Sequence, residues 1–300
     1  MVGEIFVNPW RYQLHLEVWL LIAFLVGSYI YVVRVLGPRA VPAGEPIVTR
    51  RQLVCFITGI LIMFLSTDWP MHDIAEEYLY SVHMFQHMSL TYFMPPLVVL
   101  ATPEWFVRVL VGNGRAYRAL RFFTFPVRAG LLFNLGIVVS HIPGVVNASV
   151  SNGPLHYFVH VILVLTSILM WMPVCGPLKE FQITPMSKMI YLFLNSVVAT
   201  IPAGWLTFAE GVVYKHYNIP TRVWGVSVSN DQQIAGAIMK LGGSIFLWTI
   251  IVAMFFRHFV KTFRDENKDD YDKVESILTM ADVERAFEAT PPAEEPKSFN

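Results

Sequence analysis

Seven apolar stretches, near residues 17–36, 53–69, 80–101, 127–146, 156–174, 188–209 and 232–256, dominate this 300-residue chain. A helix needs roughly 20 mostly apolar residues to cross a bilayer. Inside hydrocarbon each backbone N–H and C=O must be satisfied within its own segment, which selects helices over open strands. Composition agrees: 55% of residues are hydrophobic and 15% charged, with a mean hydropathy of +0.50. A soluble domain carries charge on about a quarter of its residues. The expected fold is therefore all-α, a polytopic membrane protein with seven transmembrane helices within 1–256. A charged tail, 257–300, follows and is expected to be largely disordered. It carries one short amphipathic pattern at Val274, Ile277, Leu278 and Phe287.

Charge placement predicts the orientation. Arg34, Arg39, Arg50 and Arg51 lie between the first two stretches, and Arg108, Arg115, Arg118, Arg121 and Arg128 follow the third. Lys179 and Lys188 follow the fifth, and Arg257, Lys261 and Arg264 open the tail. The alternate connections hold only acids at 70–79 (Asp73, Glu76, Glu77), none at 147–155, and a balance at 210–231. Lysine and arginine gather on the cytoplasmic side, so the N-terminus is expected outside and the C-terminus in the cytoplasm of a plasma membrane. The opening stretch lacks a basic start and is long enough to remain as an anchor, so no cleavable signal peptide is expected. A net charge of zero argues against nucleic acid as a partner and leaves lipid as the surrounding medium.

On that orientation, residues far apart in sequence fall in one depth band. HMFQHM places His83 at the outer mouth of the third stretch, with His87 about 6 Å deeper. HYFVH places His156 and His160 the same way on the fifth. Four residues is about one turn, so each pair shares a helix face. His141 ends the outward-running fourth stretch, Asp68 and His72 close the second, and Asp231 and Gln232 open the seventh. Met239 lies roughly 12 Å below Asp231. Cys55 and Cys175 fall at the opposite, cytoplasmic end, with no zinc-type spacing.

Ionisable groups inside membrane segments are costly and mark sites by default. Imidazole is the commonest metal ligand, and imidazole with thioether nearby favours copper, Cu(I) in particular, over hard cations. Met84 and Met88 flank the first pair, although helix neighbours point about 100° apart and cannot both face inward. Pro95 and Pro96 must kink or end the helix below that pair. Gly236, Gly242 and Gly243 read as close helix packing. Lys240, well inside the seventh stretch, needs a partner, for which Asp68, Glu210 and Asp231 are candidates.

Three blocks, HMFQHMSLTYFMPPLVVLATP, LHYFVHVILVLTSILMWMPVCGP and DQQIAGAIMK, resemble the multi-pass CtaG family of cytochrome c oxidase assembly factors over roughly residues 50–255. The sequence reads LATP where the family pattern is LGxP. The resemblance implies a seven-helix plasma-membrane protein that handles copper for the oxidase of the respiratory chain, with the CuB centre of the catalytic subunit as recipient. His83, His87, His156, His160, Asp231, Gln232 and Met239 match the family motifs.

The expected site is copper held by His83, His87, His156 and His160, with His141 and Met239 as additional ligands and Asp231 and Gln232 behind them. Asp231 is expected to steady an imidazole tautomer through its free N–H. The expected role is a copper chaperone and not an enzyme, since no nucleophile–base pair and no Gly-rich phosphate loop occurs. The alternative is a bis-histidine haem protein carrying electrons. A di-iron enzyme would want carboxylates at core depth, and a transporter would favour inverted repeats; the chain offers few of the former and none of the latter.

Overall fold

The computed structural model describes residues 8–220, 222–277 and 280–290. These residues contain helices and no strand. In chain order the helices are α1 (Leu16–Tyr31), α2 (Gly37–Ala40), α3 (Arg50–Thr67), α4 (Met71–Glu77), α5 (Tyr80–Met88), α6 (Met94–Ala101) and α7 (Glu104–Val111). They continue as α8 (Arg115–Phe123), α9 (Pro126–Ser140), α10 (Pro143–Val150), α11 (Gly153–Cys175), α12 (Pro185–Thr207), α13 (Val228–Ile277) and α14 (Met280–Ala289).

Five helical stretches are long and apolar enough to cross a membrane: Leu16–Ala40, Arg50–Thr67, Gly153–Cys175, Pro185–Thr207 and Val228–Asn267. Two bent pairs raise this to as many as seven: Tyr80–Ala101 with Glu104–Val111 at 87°, and Arg115–Phe123 with Pro126–Ser140 at 66°. Large apolar side chains cover the outside of these helices, among them Phe24, Leu131, Ile201 and Ile245, each more than 60% exposed. Water would not tolerate so continuous an apolar surface, whereas lipid tails solvate it.

Local chemistry explains the helix ends. Thr49 opens α3 with a capping box: its Oγ1 accepts from Gln52 N at 3.2 Å while Gln52 Oε1 accepts from Thr49 N at 2.8 Å. Asn152 caps α11 by accepting from Leu155 N at 3.2 Å. Pro95 and Pro96 do not end the helix. A π-helical turn, Ser89–Phe93, precedes them and lets α6 restart with the prolines in its first turn, where their missing N–H groups bond to nothing in any case. Pro143 ends the fourth predicted stretch early, at Ser140, and the chain turns into the short α10.

The span α5–α6 packs between α3 and α11, and α11 in turn packs against α9. Close approach depends on glycine at Gly236, where a Cβ would lie 2.6 Å from the backbone nitrogen of Thr207 on α12. A Cβ at Gly243 would lie 3.4 Å from the Met88 methyl, so Met88 faces α13.

Two compact units divide the chain, Met1–Ile251 and Val252–Asn300. In the second, the helix continues past residue 256 to Ile277, and α14 follows. Within the tail 257–300, residues 257–277 and 280–289 are helical. Glu, Lys, Arg and Ala are strong helix formers, and they outweigh the lack of an apolar core. Of the amphipathic pattern, Leu278 lies outside the described residues, and Phe287 is 78% exposed on α14.

Candidate metal centre

The first histidine pair stands on a helix whose own sequence gives it no cap. Leu79 precedes α5 and has no side-chain acceptor, which leaves the first N–H groups open. Asp231, from α13, fills the gap: its Oδ2 accepts from Tyr80 N at 2.9 Å and its Oδ1 from Ser81 N at 3.0 Å. Asp231 is fully buried, with Arg222 Nη2 at 3.7 Å as counter-charge. A carboxylate at a helix N-terminus is favourable both as acceptor and as charge. The expected role for Asp231, holding an imidazole, is corrected: it holds the backbone that carries the imidazoles. Gln232 likewise reaches no histidine. Its Oε1 accepts from Val213 N at 2.8 Å and fixes the loop whose Tyr214 hydroxyl donates to the His141 carbonyl at 3.0 Å.

From these supports the rings converge. Ring centroids are 4.7 Å apart for His83 and His87, 4.5 Å for His87 and His160, 5.9 Å for His83 and His160, and 4.5 Å for His156 and His160. Among the described residues, His83, His87 and His160 form a group whose ligand atoms all lie within 4.8 Å of one another. Between the rings is a cavity of about 20 Å³, walled by His83, Met84, His87, Ser149, His156 and His160 among others. That is room for a single water or ion.

Glu76, at the end of α4, is the site residue that sequence reading missed. Its Oε1 accepts from His83 Nδ1 at 3.1 Å and from His156 Nε2 at 3.2 Å. Burial alone would raise this carboxyl, but the hydrogen bonds from His156 and His83 outweigh it and hold the group well below the usual carboxylate range. These bonds assign the tautomers. An ionised carboxylate only accepts, so His83 carries its proton on Nδ1 and presents a bare Nε2. His156 uses Nε2 for Glu76, and its Nδ1 accepts from Ser149 Oγ at 3.2 Å. His87 Nδ1 and His160 Nε2 are buried with no partner in the protein. The four paired histidines thus divide into three with a free nitrogen and one, His156, with both engaged.

The remaining expected residues lie at varying distances from this centre. His141 is 6.1 Å from His87 between ring centroids and beyond the triad's reach. Met239 is buried on α13 but lines no part of the cavity, to which α13 contributes no described residue. The thioether in the wall is Met84 instead, one helix position from His83, with its Sδ 3.4 Å from His141 Nε2. Lys240 is exposed on α13 and makes no ion pair among the described residues, while Asp231, one of its expected partners, is already engaged.

Within the connection 210–231, residues 213–217 fold inward and brace the site. Tyr214 and Tyr217 are fully buried, the Tyr217 hydroxyl donates to Ala75 O at 3.0 Å, and the His216 ring donates from Nε2 to Glu76 O at 3.2 Å. Its only sequence signal was two tyrosines, Tyr214 and Tyr217, near Trp224, which make no periodic pattern. On the outer side, His15 Nε2 meets Asp73 Oδ1 at 2.6 Å, and His72 Nδ1 lies 3.3 Å from Gln86 Nε2. Burial lowers the affinity of His72 for a proton.

Three imidazoles around an ion-sized space, with a half-buried carboxylate holding one of them from behind, make a metal-binding arrangement. Comparison with curated proteins finds no match, and comparison with solved structures finds none. The family model of the cytochrome c oxidase caa3 assembly factor (Caa3_CtaG) matches residues 14–261. That match takes in every helix which builds the histidine centre, and the chain belongs to this family of oxidase assembly factors.

Proposed function

We propose that the protein binds copper, as Cu(I), at His83, His87 and His160 and helps deliver it to the CuB centre of the oxidase catalytic subunit. The observation that carries this reading is the pair of buried, unpartnered ring nitrogens, on His87 and His160, inside the histidine triad. A buried polar atom without a partner costs about 1–3 kcal/mol. Copper satisfies both nitrogens at once, and hard cations would want oxygen ligands. Copper is cargo here and not a resident group, and three ligands leave a coordination position open for the recipient's ligand.

Glu76 fits the role of outer partner in a carboxylate–histidine–metal arrangement, since its bond to Nδ1 directs His83 Nε2 inward. His156, 4.5 Å from His160, is a spare imidazole that becomes a ligand when its bond to Glu76 breaks. Exchange of one imidazole for another gives the ion a path out. No group in the cluster is arranged as a nucleophile with its base, which supports a chaperone role without catalysis. The haem alternative is not retained, because rings packed at 4.5–5.9 Å leave no room for a macrocycle.

In this reading both bent pairs are single spans, giving seven, with the N-terminus and the histidine centre on the outer side of the plasma membrane. The arginine-rich connections support that orientation. The test is the double variant His83→Ala, His160→Ala, purified after copper loading. Copper per chain is expected to fall from stoichiometric to background, and oxidase activity in the membranes to fall with it. Unchanged copper content in the folded variant overturns the ligand assignment.

A further inference from the structure

Beside His87, two groups face each other with no proton between them. His141 Nδ1 lies 2.6 Å from the carbonyl oxygen of Ile137. A carbonyl can only accept, so the neutral ring carries its proton on Nδ1 and leaves a lone pair on Nε2. That Nε2 lies 3.4 Å from Met84 Sδ. A thioether has no proton to donate. Two soft donors therefore meet at a distance where neither bonds the other well, and both side chains are buried, at 4% and 2% exposure.

We propose that His141 Nε2 and Met84 Sδ, with the His87 ring beside them, form a second binding position for a soft monovalent ion of the Cu(I) and Ag(I) class. With metal–nitrogen and metal–sulfur bonds of about 2.0 and 2.3 Å, as at zinc, the observed separation has both donors meeting one ion at about 105°, close to a tetrahedral angle. The His87 ring lies beside this position, 6.1 Å from His141 between centroids, while its unpartnered Nδ1 belongs to the triad. The rings then form a series, His156, His160, His87 and His141, with centroid steps of 4.5, 4.5 and 6.1 Å. The position differs in chemistry from the triad. Imidazole alone serves Zn(II) and copper alike, whereas a thioether selects for the soft ion.

This inference rests on the reading of the cluster as a copper centre, and it adds a site with its own ligand type. X-ray absorption on the purified full-length protein loaded anaerobically with Cu(I), and separately with Zn(II), tests it. The Cu(I) form is expected to show a metal–sulfur shell and about twice the molar binding of the Zn(II) form. Met84→Leu, which keeps the volume and removes the sulfur, is expected to abolish that shell, halve Cu(I) binding and leave Zn(II) binding unchanged. His160→Ala is expected to do the reverse, losing Zn(II) while keeping the sulfur shell. Cu(I) bound by the wild type with no sulfur shell, or with a shell that survives Met84→Leu, overturns the second position and leaves the triad standing. A sulfur shell that persists while His160→Ala changes neither metal counts against the triad and for the second position.

Discussion

The two histidine pairs have the same spacing and opposite supports. α11 is capped from next door by Asn152 and carries its pair, His156 and His160, one turn apart. α5 has no local cap and takes one from Asp231, 151 residues away from Tyr80. Their outcomes differ too: His83 and His87 both enter the triad, while α11 contributes His160 and turns His156 to Glu76 and Ser149. Spacing decides which face a side chain shares, and its neighbours decide what its nitrogens do.

The largest effect should come from breaking the remote support. Asp231→Ala removes two acceptors from the start of α5 and leaves the Arg222 charge buried without its partner, a change that costs about 3–5 kcal/mol when a buried pair is broken. Asn152→Ala removes a single local cap, about 1 kcal/mol. Thermal unfolding in detergent should therefore show a drop several times larger for Asp231→Ala, accompanied by loss of copper binding. Equal drops for the two variants would mean that α5 is held by its packing and not by the remote carboxylate.

The same contrast explains what was legible in the sequence. The apolar runs show up as helices because length and hydropathy are local properties, and the histidine band was readable because helical rise converts sequence into depth. Met84 and Met239 could not be ranked that way. Depth alone made both compatible, and only the docking of α13 against Met88 through Gly243, away from the cavity, separates them. Asp231 was placed at the right end of the bundle but given the wrong partner, since a carboxylate at that depth can accept from an imidazole or from a helix N-terminus equally well. Glu76 counted only as one acid in a loop. Its position depends on the turn between α4 and α5 and on the inward fold of residues 213–217, neither of which has a periodic signal.

A smaller effect is expected at Glu76, which joins the two pairs. Glu76→Gln keeps the shape and removes the charge that fixes His83 and His156. Loss of such an outer partner typically lowers metal affinity 10–100-fold. The stability consequence has a defined sign. A carboxyl held below its ordinary value contributes stability above the ordinary carboxylate pKa of about 4.3, and loses it as pH falls through the lower folded value. The wild type and Glu76→Gln should therefore differ by a constant amount near neutral pH and converge on acidification. A difference that grows as pH falls would assign the depressed carboxyl to another group.

The smallest effect belongs to His156, and it bears on the comparison most directly. If spacing alone made ligands, His156→Ala should weaken copper as much as His160→Ala does. If the hydrogen bonds decide, His156→Ala removes no resting ligand, because both its nitrogens are already engaged by Glu76 and Ser149. Equilibrium affinity should then change less than about tenfold, below the range for loss of an outer partner of a true ligand. Release should respond differently, because an imidazole 4.5 Å from His160 is the nearest group able to take over as His160 lets go. Copper transfer from the loaded protein to a chelator, followed in time, should slow in His156→Ala while the equilibrium constant stays nearly fixed. A parallel loss of affinity would return His156 to the resting ligand set and make the two pairs equivalent after all.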